Sequence, residues 1–201
     1  MYLPATRRHQ AAEWNLLCIG IGNSLRGDDG AGPAVVQRLN WKLRCRPIHG
    51  VATRIVTQLA PELVCDLVRA QCALFIDADV RPPPARLAVS ALQPDPAGPA
   101  VSCVGHHETP ERLLGLCHRY FGREPEAYVL ALGARNFEFG APINPALKAL
   151  VHSLAEQLFK AMNPHPDTRP LCSWNPWSTA DSRRTWNSMI SAADDCLLKG
   201  Y

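Results

Sequence analysis

Apolar positions fall into two alternating rhythms along the chain. Residues 15–22, NLLCIGIG, form a short unbroken apolar run bounded by turn signals, and Val35, Val36, Leu39 and Leu43 then recur at helical spacing after Pro33. A strand, a loop and a helix follow one another. Residues 51–59, VATRIVTQL, alternate as a second strand, and residues 60–70, APELVCDLVRA, read as a helix opened by Pro61. Residues 72–80, CALFIDADV, make a third strand, apolar on both faces as a central parallel strand is.

The next connection, RPPPA, is too short for a helical crossover, so residues 86–92, RLAVSAL, are expected as an antiparallel edge strand. The following stretch, QPDPAGPAVSCVGHHE, exceeds ordinary loop length, which points to function or disorder. Thr109, Pro110 and Glu111 open a helix whose apolar face is Leu113, Leu114, Leu116, Cys117 and Tyr120, and Gly122 closes it. EAYVLALG is a fifth strand, and Asn144 and Pro145 start a last amphipathic helix carrying Leu147, Leu150, Val151, Leu154 and Leu158. Strands alternating with helices in this way predict a doubly wound α/β fold: three α/β/α layers around a mostly parallel five-stranded sheet with one antiparallel edge strand.

Composition adds boundaries. A chain of 201 residues with 47% apolar content suffices for the core of one ordinary domain. Residues 1–14 read as an N-terminal extension and 15–162 as the domain. Residues 163–201 read as an appendage with three tryptophans and no periodic apolar pattern, either disordered or docked through Trp174, Trp177 and Trp186. The net charge of +3 is spread without a block of like charges, so neither nucleic acid nor a membrane surface is an expected partner. No secretory signal pattern and no apolar run of spanning length is present, and the protein is expected to be soluble and unexported. Eight cysteines without a CxxC pair, four of them (Cys18, Cys65, Cys72, Cys117) within predicted strands and helices, read as buried free thiols and exclude a zinc ribbon.

The chemistry lies in residues 18–36, CIGIGNSLRGDDGAGPAVV. A dinucleotide fingerprint needs a third glycine where Leu25 stands and a carboxylate at the end of the second strand, where Thr57 and Gln58 stand. A phosphate loop needs Lys-Ser or Lys-Thr after its glycines, and Asp28 and Asp29 would repel a phosphate. No nucleotide cofactor is therefore expected. One Asp at a helix start is accounted for as a cap, worth about 1 kcal/mol, but two in a row leave one over. Open α/β sheets bind ligands beyond the carboxyl ends of their parallel strands. Asp29 follows the first strand and Asp77 ends the third, and the long connector lets GHHE return to the same rim, so two carboxylates and an imidazole can converge on a cation. His49, His118, His152 and His165 are read as structural. Neither a G-x-S-x-G nucleophile elbow nor an HExxH zinc helix occurs.

The combination GIGNSLRGDDGAGPAVV, FIDAD and HHETPERLLGLCHRYFGREPEAYVLALGARNFEFGAPINPAL resembles the nickel-iron hydrogenase maturation endopeptidases over about residues 15–160. The resemblance implies a twisted five-stranded sheet between helices. It also implies a cytoplasmic peptidase that removes the C-terminal extension of a hydrogenase large-subunit precursor once nickel has been inserted. The family's metal-contacting positions fall on Asp29, Asp77 and His106, with His107 taking that role if the register slips by one, and Asp28 is left as the capping candidate. Nickel is then recognised in the precursor. Asp29 and Asp77 are the catalytic candidates for aspartic-type or metal-assisted hydrolysis, and Gly22, Asn23 and Gly27 the substrate-binding ones, with backbone N–H groups of residues 22–27 available to an oxyanion. The protein is expected to act as a monomer. One departure is TQLAPE after the second strand, where some members carry a Gly-Gly-Thr turn. The competing readings are a non-enzymatic metal-sensing or precursor-binding maturation factor using the same three ligands, and an unrelated α/β hydrolase or nucleotide enzyme sharing only the sheet.

Overall fold

The computed structural model describes residues 12–95 and 108–162. Its strands are β1 (Trp14–Ile21), β2 (Val51–Val56), β3 (Ala70–Asp79), β4 (Leu87–Leu92) and β5 (Glu126–Gly133). Its helices are α1 (Ala31–Cys45), α2 (Val64–Leu67), α3 (Pro110–Phe121) and α4 (Pro145–Met162). The strands form one sheet in the order β2-β1-β3-β5-β4, all parallel except β4, which pairs antiparallel with β5 at the edge. The expected fold class and the antiparallel edge strand are both present.

Alternation within the strands explains the layers. Leu16 and Cys18 of β1 and Cys72, Leu74 and Ile76 of β3 join a core with α1 and α4. Leu17 and Ile19, with Ala73 and Phe75, join a second core with α2 and α3. Because both faces of β1 and β3 are covered, their central stretches, Leu16–Ile21 and Cys72–Ile76, carry no polar side chain, rather than alternating apolar with polar. Cys18, Cys72 and Cys117 are buried free thiols, as expected. Burial pushes the Cys117 thiol up to about 12. Cys65 is instead exposed, as is Cys45.

The helix expected over residues 60–70 is a correction. Pro61–Leu63 form a 3-10 turn and α2 adds one α-helical turn. The helix stops because the Arg69 carbonyl accepts N–H groups from Glu13 and Trp14, and Ala70 pairs with Trp14 as the sheet begins. Trp14, assigned by sequence to the extension, is therefore the first residue of β1. β2 ends at Val56, short of residue 59. Tyr120, expected on the apolar face of α3, is exposed. The caps of α3 are as expected: Thr109 accepts from the Arg112 N–H at 3.4 Å, and Gly122 takes the left-handed conformation at φ 69°. No helix among the described residues is long and apolar enough to cross a membrane.

Candidate active site

Strand order reverses between β1 and β3, since β2 lies on one side of β1 and β3 on the other. That switch point opens a crevice at the carboxyl ends of the two strands. The segment from Gly22 to Gly30 sits there, and its shape follows from local constraints. Gly22 adopts φ 130°, and a Cβ on it would meet the Asp29 carbonyl oxygen at 2.0 Å, so only glycine fits. The Asn23 side chain accepts the Leu25 N–H at 3.0 Å, folding the turn, and the Asn23 N–H donates to Asp29 Oδ2 at 2.8 Å. Residues Gly27–Gly30 then make a 3-10 turn into α1. A Cβ on Gly32 would come within 2.3 Å of the Ile76 carbonyl and 2.5 Å of the Ile21 carbonyl, so the start of α1 lies directly on the ends of β1 and β3.

This contact brings Asp29 beside Asp77. Asp77, half-buried in β3 opposite Ala131, accepts the Ala78 N–H at 2.8 Å. Burial raises its pKa, the Ala78 N–H offsets this in part, and the Asp29 and Asp79 carboxylates raise it further, to about 6. Asp79 is different: the Arg81 guanidinium donates to it at 2.7 Å and holds its carboxyl below the usual range. Among the described residues Asp77 has no ion-pair partner, so the Asp29–Asp77 pair is a concentration of negative charge that a cation would neutralise. Its oxygen donors suit a hard or borderline metal ion.

Asp28 carries a correction. It was expected to cap the helix, yet neither the 3-10 turn nor α1 has a side-chain cap bond. Asp28 is instead buried, with Oδ2 accepting the Arg135 and Asn136 N–H groups at 3.0 Å each and Oδ1 accepting the Asn144 N–H at 2.8 Å. Burial alone would raise its pKa, but these three donors outweigh it and the pKa is lowered. Its own N–H donates to the Asn136 carbonyl at 2.7 Å. Asn144 in turn caps α4, accepting the Ala146 N–H at 2.9 Å. Sequence reasoning did not single out Arg135, Asn136 and Asn144 as site-forming, and the order of FEFG after the fifth strand was the nearest signal.

The loop's N–H groups are mostly engaged, which limits the expected oxyanion role. Gly22 donates to the Val56 carbonyl at 3.0 Å, Arg26 to Asn23 at 3.0 Å and Asp29 to Arg26 at 3.1 Å. Gly27, at φ 52°, packs against the Asn136 carbonyl. Among the described residues, the Ser24 and Gly27 N–H groups are the ones in this loop without an acceptor. Around the crevice stand exposed Leu25, Val80 and Phe139. The Gly140 N–H donates to the Leu25 carbonyl at 2.7 Å, and the Arg135 guanidinium donates to the Val80 and Pro82 carbonyls at 2.8 and 3.0 Å.

His106 and His107 lie outside the described residues, as does His165, so Asp29 and Asp77 are the two predicted ligands that are brought together here. No group of three or more His, Cys, Asp or Glu side chains able to hold a metal occurs among the described residues. His118 pairs with Glu124 at 2.8 Å on α3, and His49 and His152 lie away from the crevice.

Three solved structures that superpose on this chain carry one activity in their names. The [NiFe] hydrogenase maturation protease HycI from Thermococcus kodakarensis superposes with a TM-score of 0.56 at 18% identity, over 74% of this chain and 92% of that one. The fold is that of the hydrogenase maturation proteases. The hydrogenase maturating endopeptidase HybD from Escherichia coli gives 0.52 at 22% identity, over 73% of this chain and 91% of that one. The Hydrogenase 3 maturation protease gives 0.50 at 22%, over 74% and 91%. No protein-family model and no curated protein matches the chain. The shared fold spans nearly the full length of each of these three structures.

Proposed function

We propose that this chain is an endopeptidase that removes the C-terminal extension of a nickel-iron hydrogenase large-subunit precursor after nickel insertion. The observation that carries the reading is the Asp29–Asp77 pair, without an ion-pair partner among the described residues, at the switch point of a hydrogenase maturation protease fold. Nickel enters as part of the substrate. A bound cation polarises a carbonyl or activates water only while it keeps exchangeable positions, and a two-carboxylate site leaves several open. His106 is the proposed third contact. Asp29, fixed by the Asn23 N–H, is the orienting carboxylate, and Asp77, its pKa pushed up by burial to about 6, is the proposed general base toward the attacking water. Gly22, Asn23 and Gly27 shape the wall along which the precursor segment lies. The protein acts in the cytoplasm as a monomer, on a precursor whose metal centre is still open.

Mass spectrometry of the purified precursor, nickel-loaded or nickel-free, after incubation with the protein tests this. Loss of the extension from the loaded form alone is expected. An unchanged precursor mass in a stable complex would assign the protein to a non-enzymatic binding factor. Equal cutting by the parent, Asp29→Asn, Asp77→Asn and His106→Ala would remove the proposed site.

A further inference from the structure

On the opposite side of α1 from the sheet, where it packs beside α4, lies a groove of about 510 Å³. Its floor is apolar, with Ile143 and Val151, and Trp41 stands over it 66% exposed. Its polar lining is basic: Arg38 from α1 and Lys148 and His152 from α4, with no carboxylate among the lining residues. Neither Arg38 nor Lys148 has an ion-pair partner among the described residues. Glu156, two helical steps along α4, influences Arg38 through space but is already ion-paired with Lys42. Partial burial, with the Arg38 and Lys148 charges, holds the His152 imidazole below its ordinary pKa, as expected where positive charges converge.

An exposed tryptophan flanked by an unpaired arginine over an apolar floor is the composition of a contact surface's energetic centre. The groove is also continuous with the acid pair's loop. Ile143 lies 3.6 Å from where a Cβ of Gly30 would be, and the next residue, Asn144, is held by Asp28. A segment lying in the groove therefore leads toward Asp29 along a single surface.

We propose that the α1/α4 groove is an exosite that docks an acidic, apolar-anchored segment of the protein substrate, remote from the bond that is cut. Charge complementarity selects the segment: its carboxylates meet Arg38 and Lys148 while an apolar side chain enters beneath Trp41. A volume of this size accommodates a few side chains, which suits a short segment rather than a domain. The inference rests on the protease reading for the name of the partner, the large-subunit precursor, and on the groove itself for the chemistry.

The test uses the full chain with p-benzoylphenylalanine in place of Trp41, irradiated with nickel-loaded precursor. A cross-link to an acidic segment of the precursor is expected. A cross-link only to residues 163–201 of the same chain, only to a second copy, or to no acidic segment overturns the proposal. Arg38→Glu combined with Lys148→Glu is expected to raise the KM for precursor about ten-fold while kcat stays within about two-fold. Ala34→Trp, which fills the groove without changing its charge, is expected to move KM the same way. Unchanged KM in both variants overturns the exosite. A direct arm reads fluorescence anisotropy of labelled peptides of alternating glutamate and leucine against alternating lysine and leucine. The parent should bind the acidic peptide about ten-fold more tightly, and the charge-reversed variant should lose that preference. Preference without any precursor cleavage would sink the protease reading and leave the groove standing; equal binding of both peptides would sink the groove.

Discussion

Asp28 and Asp77 lie within one crevice and face opposite electrostatic conditions. Asp28 is the more buried of the two, yet three backbone donors hold it ionised, and it ties residues 135–144 to the loop after β1. Asp77 is only half-buried, has one backbone donor and looks toward other carboxylates, so its pKa is pushed up to about 6. Burial alone does not distinguish a scaffolding carboxylate from a reactive one; the number of donors offered to it does. A satisfied carboxylate holds structure. An unsatisfied one is available for a proton, a cation or a substrate.

The largest expected effect tests the reactive half. Asp77→Asn and Asp29→Asn should each lower precursor cleavage by about 10²- to 10⁴-fold, read from initial rates by mass spectrometry. Thermal melting of Asp77→Asn should not fall, because the amide can still accept the Ala78 N–H and the penalised charge is gone. A variant that is both inactive and strongly destabilised would erase the contrast with Asp28.

The scaffolding half predicts the reverse. Asp28→Ala leaves three part-buried N–H groups without their acceptor and should cost about 1–3 kcal/mol, measured as a shift in urea midpoint at constant slope. Asp28→Asn, which keeps one full acceptor oxygen, should lose less. Equal losses in the two variants would mean that a neutral acceptor cannot stand in for the carboxylate, and small losses in both would mean that these hydrogen bonds contribute little.

Gly22→Ala sharpens the comparison geometrically, since φ 130° and the 2.0 Å approach to the Asp29 carbonyl strain any side chain. A loss of about 1–3 kcal/mol is expected, with cleavage falling more than stability explains because Asp29 is displaced. Cleavage that tracks stability alone would show that Asp29 had not moved.

The smallest effect is in pH dependence, where the two residues have opposite signs. Asp77 has a folded pKa above its ordinary 3.8, so the stability it contributes is fully present below that value and is lost as pH rises through about 6. Asp28 has a folded pKa below 3.8, so its contribution is present above that value and lost as pH falls through the folded pKa. Relative to the parent, Asp77→Asn should therefore gain more at neutral pH than near pH 4 in urea titrations. An equal gain at both would show that Asp77 is not protonated preferentially in the folded chain.

Much of this architecture was legible in the sequence because it depends on local signals. Apolar runs marked β1 and β3, the short RPPPA link made β4 antiparallel, and Thr109 and Gly122 marked the ends of α3. The helix over residues 60–70 was misread because what stops it, the pairing of Ala70 with Trp14, is 56 positions away in sequence. The acid pair was legible for a similar reason, since residues after parallel strands share one rim whatever the intervening helices do. Asp28 was not. Its acceptor role depends on Arg135, Asn136 and Asn144, which only the closed sheet brings near, and a capping rule read from neighbours alone assigned it to the wrong structure.

The Asp28 anchor has a mechanical consequence. Leu25 and Phe139 belong to loops more than a hundred positions apart, yet the Gly140 N–H joins them directly and Asp28 clamps their bases. Neither loop can swing without breaking the other's bonds, so among the described residues these two loops move as one body. Amide hydrogens at Arg135, Asn136 and Asn144 should exchange in concert, as one cooperative unit, and whatever enters the crevice meets these two loops as a single wall.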